Sequence, residues 1–168
     1  MKQTFKILTI TTVLFLSVIT LSNAQTKTEP FRLGLGLNLG GATTDGYNVT
    51  LGGDLKLQKD ITKVISASLA TGYTNFFPNK NNGFTQNYGF VPLKAGIKYF
   101  PVSGVYFGGE LGAAFGVEKN SGTSFLYAPA VGITFNKNYD FSARYEALNQ
   151  NGGTLSHIAL RLAYAFTL

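Results

Sequence analysis

The chain has 168 residues, a formal net charge of +6, 13% charged and 14% aromatic residues, 20 glycines and no cysteine. One domain fits that length, disulfides and thiol chemistry are excluded, and a charged fraction near half of the ordinary ~25% is a poor match to a water-facing surface. The positive charges are dispersed, with no basic run and no basic–aromatic cluster, so a nucleic-acid partner is not expected.

Lys2 and Lys6 open a short basic region, Ile7 to Leu21 is apolar and threonine-rich, and Ser22-Asn23-Ala24 carries small residues at its outer positions. This predicts a secretory signal peptide over 1–24, cleaved after Ala24. The apolar run is short for a membrane-spanning helix of about 20 residues. Residues 25–168 then form the mature domain, and no long apolar run within it points to a transmembrane helix.

After a polar lead, Gln25–Pro30, the pattern becomes alternating, and a strand places successive side chains on opposite faces. The first strand, near Phe31–Gly40, sets Phe31, Leu33, Leu35, Leu37 and Leu39 against Arg32, Gly34, Gly36, Asn38 and Gly40. A turn at Gly41–Tyr47 leads to a second strand, with Val49, Leu51, Leu55 and Leu57 against Thr50, Gly52, Asp54, Lys56 and Gln58. Lys59-Asp60-Ile61 reads as a tight turn, and the third strand runs from Ile65 to Tyr73. The polar stretch Thr74–Asn87 separates it from a fourth strand, in which Val91, Leu93, Ala95, Ile97 and Tyr99 alternate with Pro92, Lys94, Gly96 and Lys98.

A short turn at Pro101–Gly104 precedes the fifth strand, Val105 to Glu118, whose small and polar row holds Tyr106, Glu110 and Glu118. Lys119–Thr123 reads as a loop, and the sixth strand follows from Phe125 to Phe135. Asn136-Lys137-Asn138 turns into the seventh, where Tyr139, Phe141, Ala143, Tyr145 and Ala147 oppose Asp140, Ser142, Arg144 and Glu146. Leu148–Thr154 reads as a loop before the last strand, which sets Ile158, Leu160, Leu162, Tyr164, Phe166 and Leu168 against Ala159, Arg161, Ala163, Ala165 and Thr167.

Eight strands of about ten residues each have the length that a tilted strand needs to cross a bilayer. Low charge, many aromatics and much glycine without a spanning helix predict an all-β fold, an eight-stranded antiparallel up-and-down transmembrane β-barrel. An even strand count returns both termini to one side. The Gly41–Tyr47, Thr74–Asn87, Lys119–Thr123 and Leu148–Thr154 connections then share the outer side, opposite the three tight turns, as outer-membrane barrels require. Pro92 and Pro129 fall inside strands, where proline usually marks an edge or a bulge, so bulges are predicted there.

Alternation alone does not say which face is inside. A soluble lipocalin-like barrel would turn the apolar face inward and need a charged exterior. Here the other face is mostly Gly, Ala, Ser and Thr, which suits the filling of a narrow eight-strand lumen. Its charged residues form a predicted lumen network, with Arg32, Lys56, Lys94, Lys98, Arg144 and Arg161 facing Asp54, Glu110, Glu118, Asp140 and Glu146. Unpaired buried charge is costly, so pairing is expected. Folding the strands about their turns places Lys94 opposite Glu110 and Asp140 near Arg161. A salt-bridged plug is favoured over an open pore, because barrels of this size leave no wide channel. Two aromatic girdles are expected on the outside. One holds Tyr99, Phe100, Phe135, Tyr139, Phe141 and Phe166, and the other Tyr73, Phe76, Phe115, Phe125, Tyr127 and Tyr145.

The leader, the alternating strands and the ending Arg161-Leu162-Ala163-Tyr164-Ala165-Phe166-Thr167-Leu168 resemble the small outer-membrane β-barrel proteins, the porin-family or OmpA/OmpX-like barrels common in Bacteroidetes. The resemblance covers essentially the whole mature chain and implies residence in the cell outer membrane, among its lipids and lipopolysaccharide, as a monomer. Tyr164, Phe166 and Leu168 also resemble the terminal signal read by the barrel-assembly machinery, which implies that machinery as a partner during biogenesis. A terminal Phe is commoner there than Leu168.

Some barrels of this kind modify lipid A. Such a deacylase carries its His and Ser in a His-x-Ser-Asn arrangement, and here the order is Ser156-His157, so the motif fails. Adjacent strand residues also point to opposite faces, which disfavours a catalytic dyad. Glu146 could lie near His157 across the loop. A histidine at the rim of the barrel is the preferred reading, and no catalytic residue is assigned. One histidine and no cysteine leave no metal-ligand cluster, and no cofactor is expected. The predicted role is structural or surface interaction through external loops, with Thr74–Asn87 and its Phe76, Phe77 and Phe84 as the candidate contact surface. A narrow porin-like channel and a lipid A-modifying enzyme are the alternatives.

Overall fold

The computed structural model describes residues 29–79, 86–118, 121–150 and 152–168. The predicted signal peptide, the centre of the Thr74–Asn87 stretch with Phe84, and parts of the Lys119–Thr123 and Leu148–Thr154 loops lie outside the described residues. Eight strands follow one another: β1 (Arg32–Ala42), β2 (Tyr47–Asp60), β3 (Ile65–Pro78), β4 (Tyr88–Val102), β5 (Val105–Gly116), β6 (Thr123–Phe135), β7 (Tyr139–Gln150) and β8 (Gly153–Thr167). Each pairs antiparallel with the next, and β8 pairs with β1 from Arg32↔Thr167 to Ala42↔His157, so the barrel is closed. Closure leaves no edge with unpaired backbone groups.

The strands are longer than the alternation predicts, and the excess lies mostly at the end of the loops. Thr74 pairs with Phe90 and Phe76 with Tyr88, while Leu148 pairs with Leu155. Asn, Gly and Thr there read as loop by composition, but strand preference is set mainly by neighbours, and each of these residues has a paired neighbour to extend against. Phe76 is therefore a strand residue facing inward and fully buried, rather than a girdle or loop aromatic.

The prolines make no bulge. Across Pro92 the β3–β4 register resumes unchanged, from Thr71↔Leu93 to Thr74↔Phe90, and across Pro129 the β6–β7 register does the same, from Tyr127↔Ala147 to Ala130↔Arg144. An antiparallel residue directs its N–H to one neighbour only, so proline removes one ladder bond without requiring an extra residue. The register shifts instead between Tyr47 and Thr50 on β2 and between Tyr99 and Val102 on β4, both near strand ends.

The three tight turns lie at one end. Gly104 (φ 84°) closes the β4–β5 turn, and Asn136 and Lys137 (φ 51° and 60°) close the β6–β7 turn, where Asn138 N donates to Phe135 O at 3.1 Å.

Outside, the leucines, valines and aromatics stand exposed in rows: Leu37 is 71% exposed, Leu162 61% and Phe107 59%. Tyr99, Phe135, Tyr139 and Phe141 cluster toward the turn end, and Tyr139 packs edge-on against Tyr164 at 5.0 Å between ring centres. Phe100 is half-buried and leans on Tyr106 at the lumen's turn end, so it does not join that girdle. Apolar surface on this scale is incompatible with a soluble monomer and suited to lipid.

Candidate functional site

The lumen is the site. Its inward rows come from alternate residues of all eight strands, so a side chain's place in it follows from parity and register alone. At the loop end the filling is apolar: Phe76, Phe90, Ala114, Leu126, Ala128 and Leu148 form one buried cluster, with Ala42, Tyr47, Tyr88 and Leu155 against it. Below the cluster the filling is charged.

Two carboxylate hubs organise this charged part. Glu110 on β5 pairs with Lys56, with Lys94 at 3.2 Å and with Arg144 at 3.9 Å. Lys94 also reaches Glu146 on β7 at 2.6 Å. Asp140 on β7 receives Lys98 at 2.5 Å, the Tyr106 hydroxyl at 3.0 Å and an Arg161 nitrogen at 3.0 Å. Arg161 also holds both oxygens of Asp54, with Nη2 donating to Oδ1 at 2.6 Å and Nε to Oδ2 at 2.9 Å, while Asn38 Nδ2 donates to Oδ2 at 2.8 Å. Bidentate Arg–carboxylate contacts of this kind are strong and directional.

The register places the hubs slightly differently from the sequence expectation. Lys94 lies opposite Gly112, and Glu110 opposite Gly96, so their ion pair runs diagonally. Likewise Asp140 lies opposite Ala163 while Arg161 lies opposite Ser142, and the long guanidinium spans the two-residue offset. Arg32 stands apart from the centre and pairs with Asp60 at 2.5 Å near the turn end.

Glu118 does not belong to the network. β5 ends at Gly116, and Glu118 lies beyond it with an exposed side chain, where its carbonyl accepts the Ser121 hydroxyl at 2.6 Å. Parity assigns an inward side only while the strand continues. Asp60 takes its place in the charge balance. The small-face row Asp54, Lys56, Gln58 continues to Asp60, and β2 runs two residues into the turn expected from Lys59.

The sequence pattern gives no place in the network to Asn38, Tyr106 or Thr50, and it puts His157 at the rim. The first three stand on the small-face rows. His157 is not at the rim: it is 2% exposed, its Nδ1 lies 2.7 Å from Thr50 Oγ1, its Nε2 is 3.6 Å from Glu146 Oε1, and its ring faces Phe76. It marks the boundary between the charged and apolar fillings. Ser156 turns away from it, toward Thr43 Oγ1 at 2.8 Å and Thr44 Oγ1 at 3.3 Å.

Six cations (Arg32, Lys56, Lys94, Lys98, Arg144, Arg161) thus face five carboxylates (Asp54, Asp60, Glu110, Asp140, Glu146). Two cavities among them are only about 10 Å³ each, the space of one water. The lumen widens at the turn end into a cavity of about 450 Å³ lined by Arg32, Gln58, Asp60, Ser66, Thr134 and Lys137, among others. Tyr164, Phe166 and Leu168 stand outward on and just past the end of β8. Among the described residues no group of His, Cys, Asp or Glu is arranged to hold a metal ion.

A closed eight-stranded barrel with an apolar outside and a charged inside has the fold of outer-membrane barrels. Ail, the attachment invasion locus protein of Yersinia pestis, is similar over 82% of this chain and 99% of its own, with 18% identity and a TM-score of 0.58. The N-terminal β-barrel domain of Pseudomonas aeruginosa OprF is similar over 83% and 100%, with 13% identity and a TM-score of 0.60. PagL, described as an outer membrane enzyme, is similar over 78% and 98%, with 14% identity and a TM-score of 0.59. No protein-family model and no curated protein matches the chain.

Proposed function

We propose that the chain is an integral outer-membrane barrel with a closed lumen, and that it acts structurally or in surface contact through the loops at its loop end. The observation that carries this reading is the pairing of a lipid-suited exterior with a lumen filled by ion pairs and apolar side chains. An exterior of exposed Leu, Val and Phe needs hydrocarbon around it, and a filled interior leaves little for transport. The fold shared with Ail, OprF and PagL supports the membrane setting. The partners are outer-membrane lipids and lipopolysaccharide, with the assembly machinery reading Tyr164, Phe166 and Leu168. Because Thr74–Pro78 belong to β3 and Phe76 is buried, the candidate contact loop narrows to the connection over 79–87. The protein is a monomer, and residues 1–24 are its export signal.

The same reading makes the protein non-enzymatic. Ser156 and His157 engage different partners, Thr43 and Thr44 against Thr50. His157 is also enclosed by the lumen, away from any lipid ester. Outer-membrane fractions are the test. The protein is expected to resist urea and carbonate extraction, to change gel mobility on heating in detergent, and to give no steady conductance in a planar bilayer. Extraction by urea would overturn the membrane assignment, and a stable single-channel conductance would overturn the closed lumen. A lipid A acyl change that depends on the protein and is lost in His157→Ala would restore the enzymatic alternative.

A further inference from the structure

We propose that β8 is latched to the barrel by two side chains that cross over β1 and grip β2, and that this double latch governs closure of the barrel. Seven of the eight strand pairs join neighbours in sequence. The β1–β8 seam joins opposite ends of the domain, and closing so long a loop carries the largest entropic cost of any pairing in the fold.

Arg161 lies opposite Asn38 on β1, yet its guanidinium binds both oxygens of Asp54 on β2. His157 lies opposite Ala42 on β1, yet its Nδ1 meets Thr50 Oγ1 on β2 at 2.7 Å. Both contacts span 107 residues of sequence. Each passes a glycine of β1. Gly36 pairs with Asp54 and Gly40 with Thr50. A Cβ on Gly36 would lie 2.7 Å from Arg161 Nη2, and one on Gly40 would lie 2.7 Å from Thr50 Oγ1. A side chain at either position would occupy the crossing. Lys56–Glu110, Lys94–Glu146 and Lys98–Asp140 span the lumen between other strands and do not cross the seam, although Asp140 also meets Arg161 at 3.0 Å and Glu146 lies 3.6 Å from His157, both from the β7 side.

The chain has no cysteine, so engineered pairs report closure cleanly. Gly41→Cys with Ile158→Cys places thiols on Cα partners across the seam, and Val91→Cys with Phe115→Cys does so between β4 and β5. The full chain is diluted from urea into phospholipid vesicles, and disulfide formation on brief oxidation is followed with time. Arg161→Lys keeps the charge and loses the fork, Gly36→Val blocks the crossing without touching charge, and Thr50→Val removes only a hydroxyl. Arg161→Lys and Gly36→Val are each expected to slow the seam crosslink by about tenfold, the factor one charge-assisted hydrogen bond is worth, Thr50→Val by about fivefold, the factor of an ordinary one, and all three to leave the β4–β5 crosslink unchanged. Equal slowing of both crosslinks, or slowing of neither, would overturn the latch. Thr50→Val, the mildest of the three, keeps the test decisive if the others do not fold.

Discussion

At the loop end of the lumen Phe76, Phe90, Leu126 and Leu148 meet face to face, and immediately below them Glu110, Glu146, Lys94 and Arg144 share ion pairs. The same wall builds both regions, and both exclude bulk water. The apolar region is tolerant in chemistry and demanding in volume. The charged region is the reverse: its groups need particular partners, because each left alone carries the full penalty of burial. A barrel closed by packing alone would be indifferent to charge loss, and one closed by charge alone would be indifferent to cavities. This lumen is neither.

The largest effect should come from removing both rings. Phe76→Ala with Phe90→Ala creates a cavity where two buried aromatics stood, and a single such truncation costs about 3–5 kcal/mol. The urea midpoint of the heat-modifiable form should fall steeply, while planar-bilayer recordings stay silent because the charged filling remains. Steady conductance in this variant would show that the apolar region alone is the seal.

Glu110→Gln comes next. It leaves Lys56, Lys94 and Arg144 around a neutral amide, and breaking a buried pair costs about 3–5 kcal/mol. Equilibrium unfolding in vesicles should show that loss with little dependence on added salt, since buried pairs are screened weakly. A strong salt dependence would place these groups in contact with bulk water.

Tyr106→Phe removes one hydroxyl donor to Asp140 and should cost about 1 kcal/mol in the same measurement. Glu118→Gln sharpens the boundary of the network. Its side chain is exposed beyond β5, so the change should stay within about 0.5 kcal/mol. A larger loss would return Glu118 to the lumen.

Much of this was legible from alternation. Lys56, Lys94, Lys98, Arg144 and Arg161 stand on inward rows because their parity differs from that of the leucines beside them. The errors in assigning the lumen filling have one origin. Parity needs a strand to act on, and composition misjudged where strands stop. Thr74–Pro78 and Leu148–Gln150 looked like loop and are paired ladder, so Phe76 and Leu148 went unrecognised as filling. β5 stops earlier than its pattern, so Glu118 was wrongly included. The rim expected at His157 lies earlier in the chain, because β8 already begins at Gly153.

By itself the sequence determined the strand count, the closed antiparallel architecture and which side chains share a face. Those follow from a period of two, and that period is local. Which charged groups meet was decided only by the tertiary structure. Arg161 serves Asp54 and Asp140 at once because strand register and a glycine on β1 set its reach across three neighbouring strands. Partner choice in a closed barrel depends on stagger around the whole circumference, and no single strand carries that information.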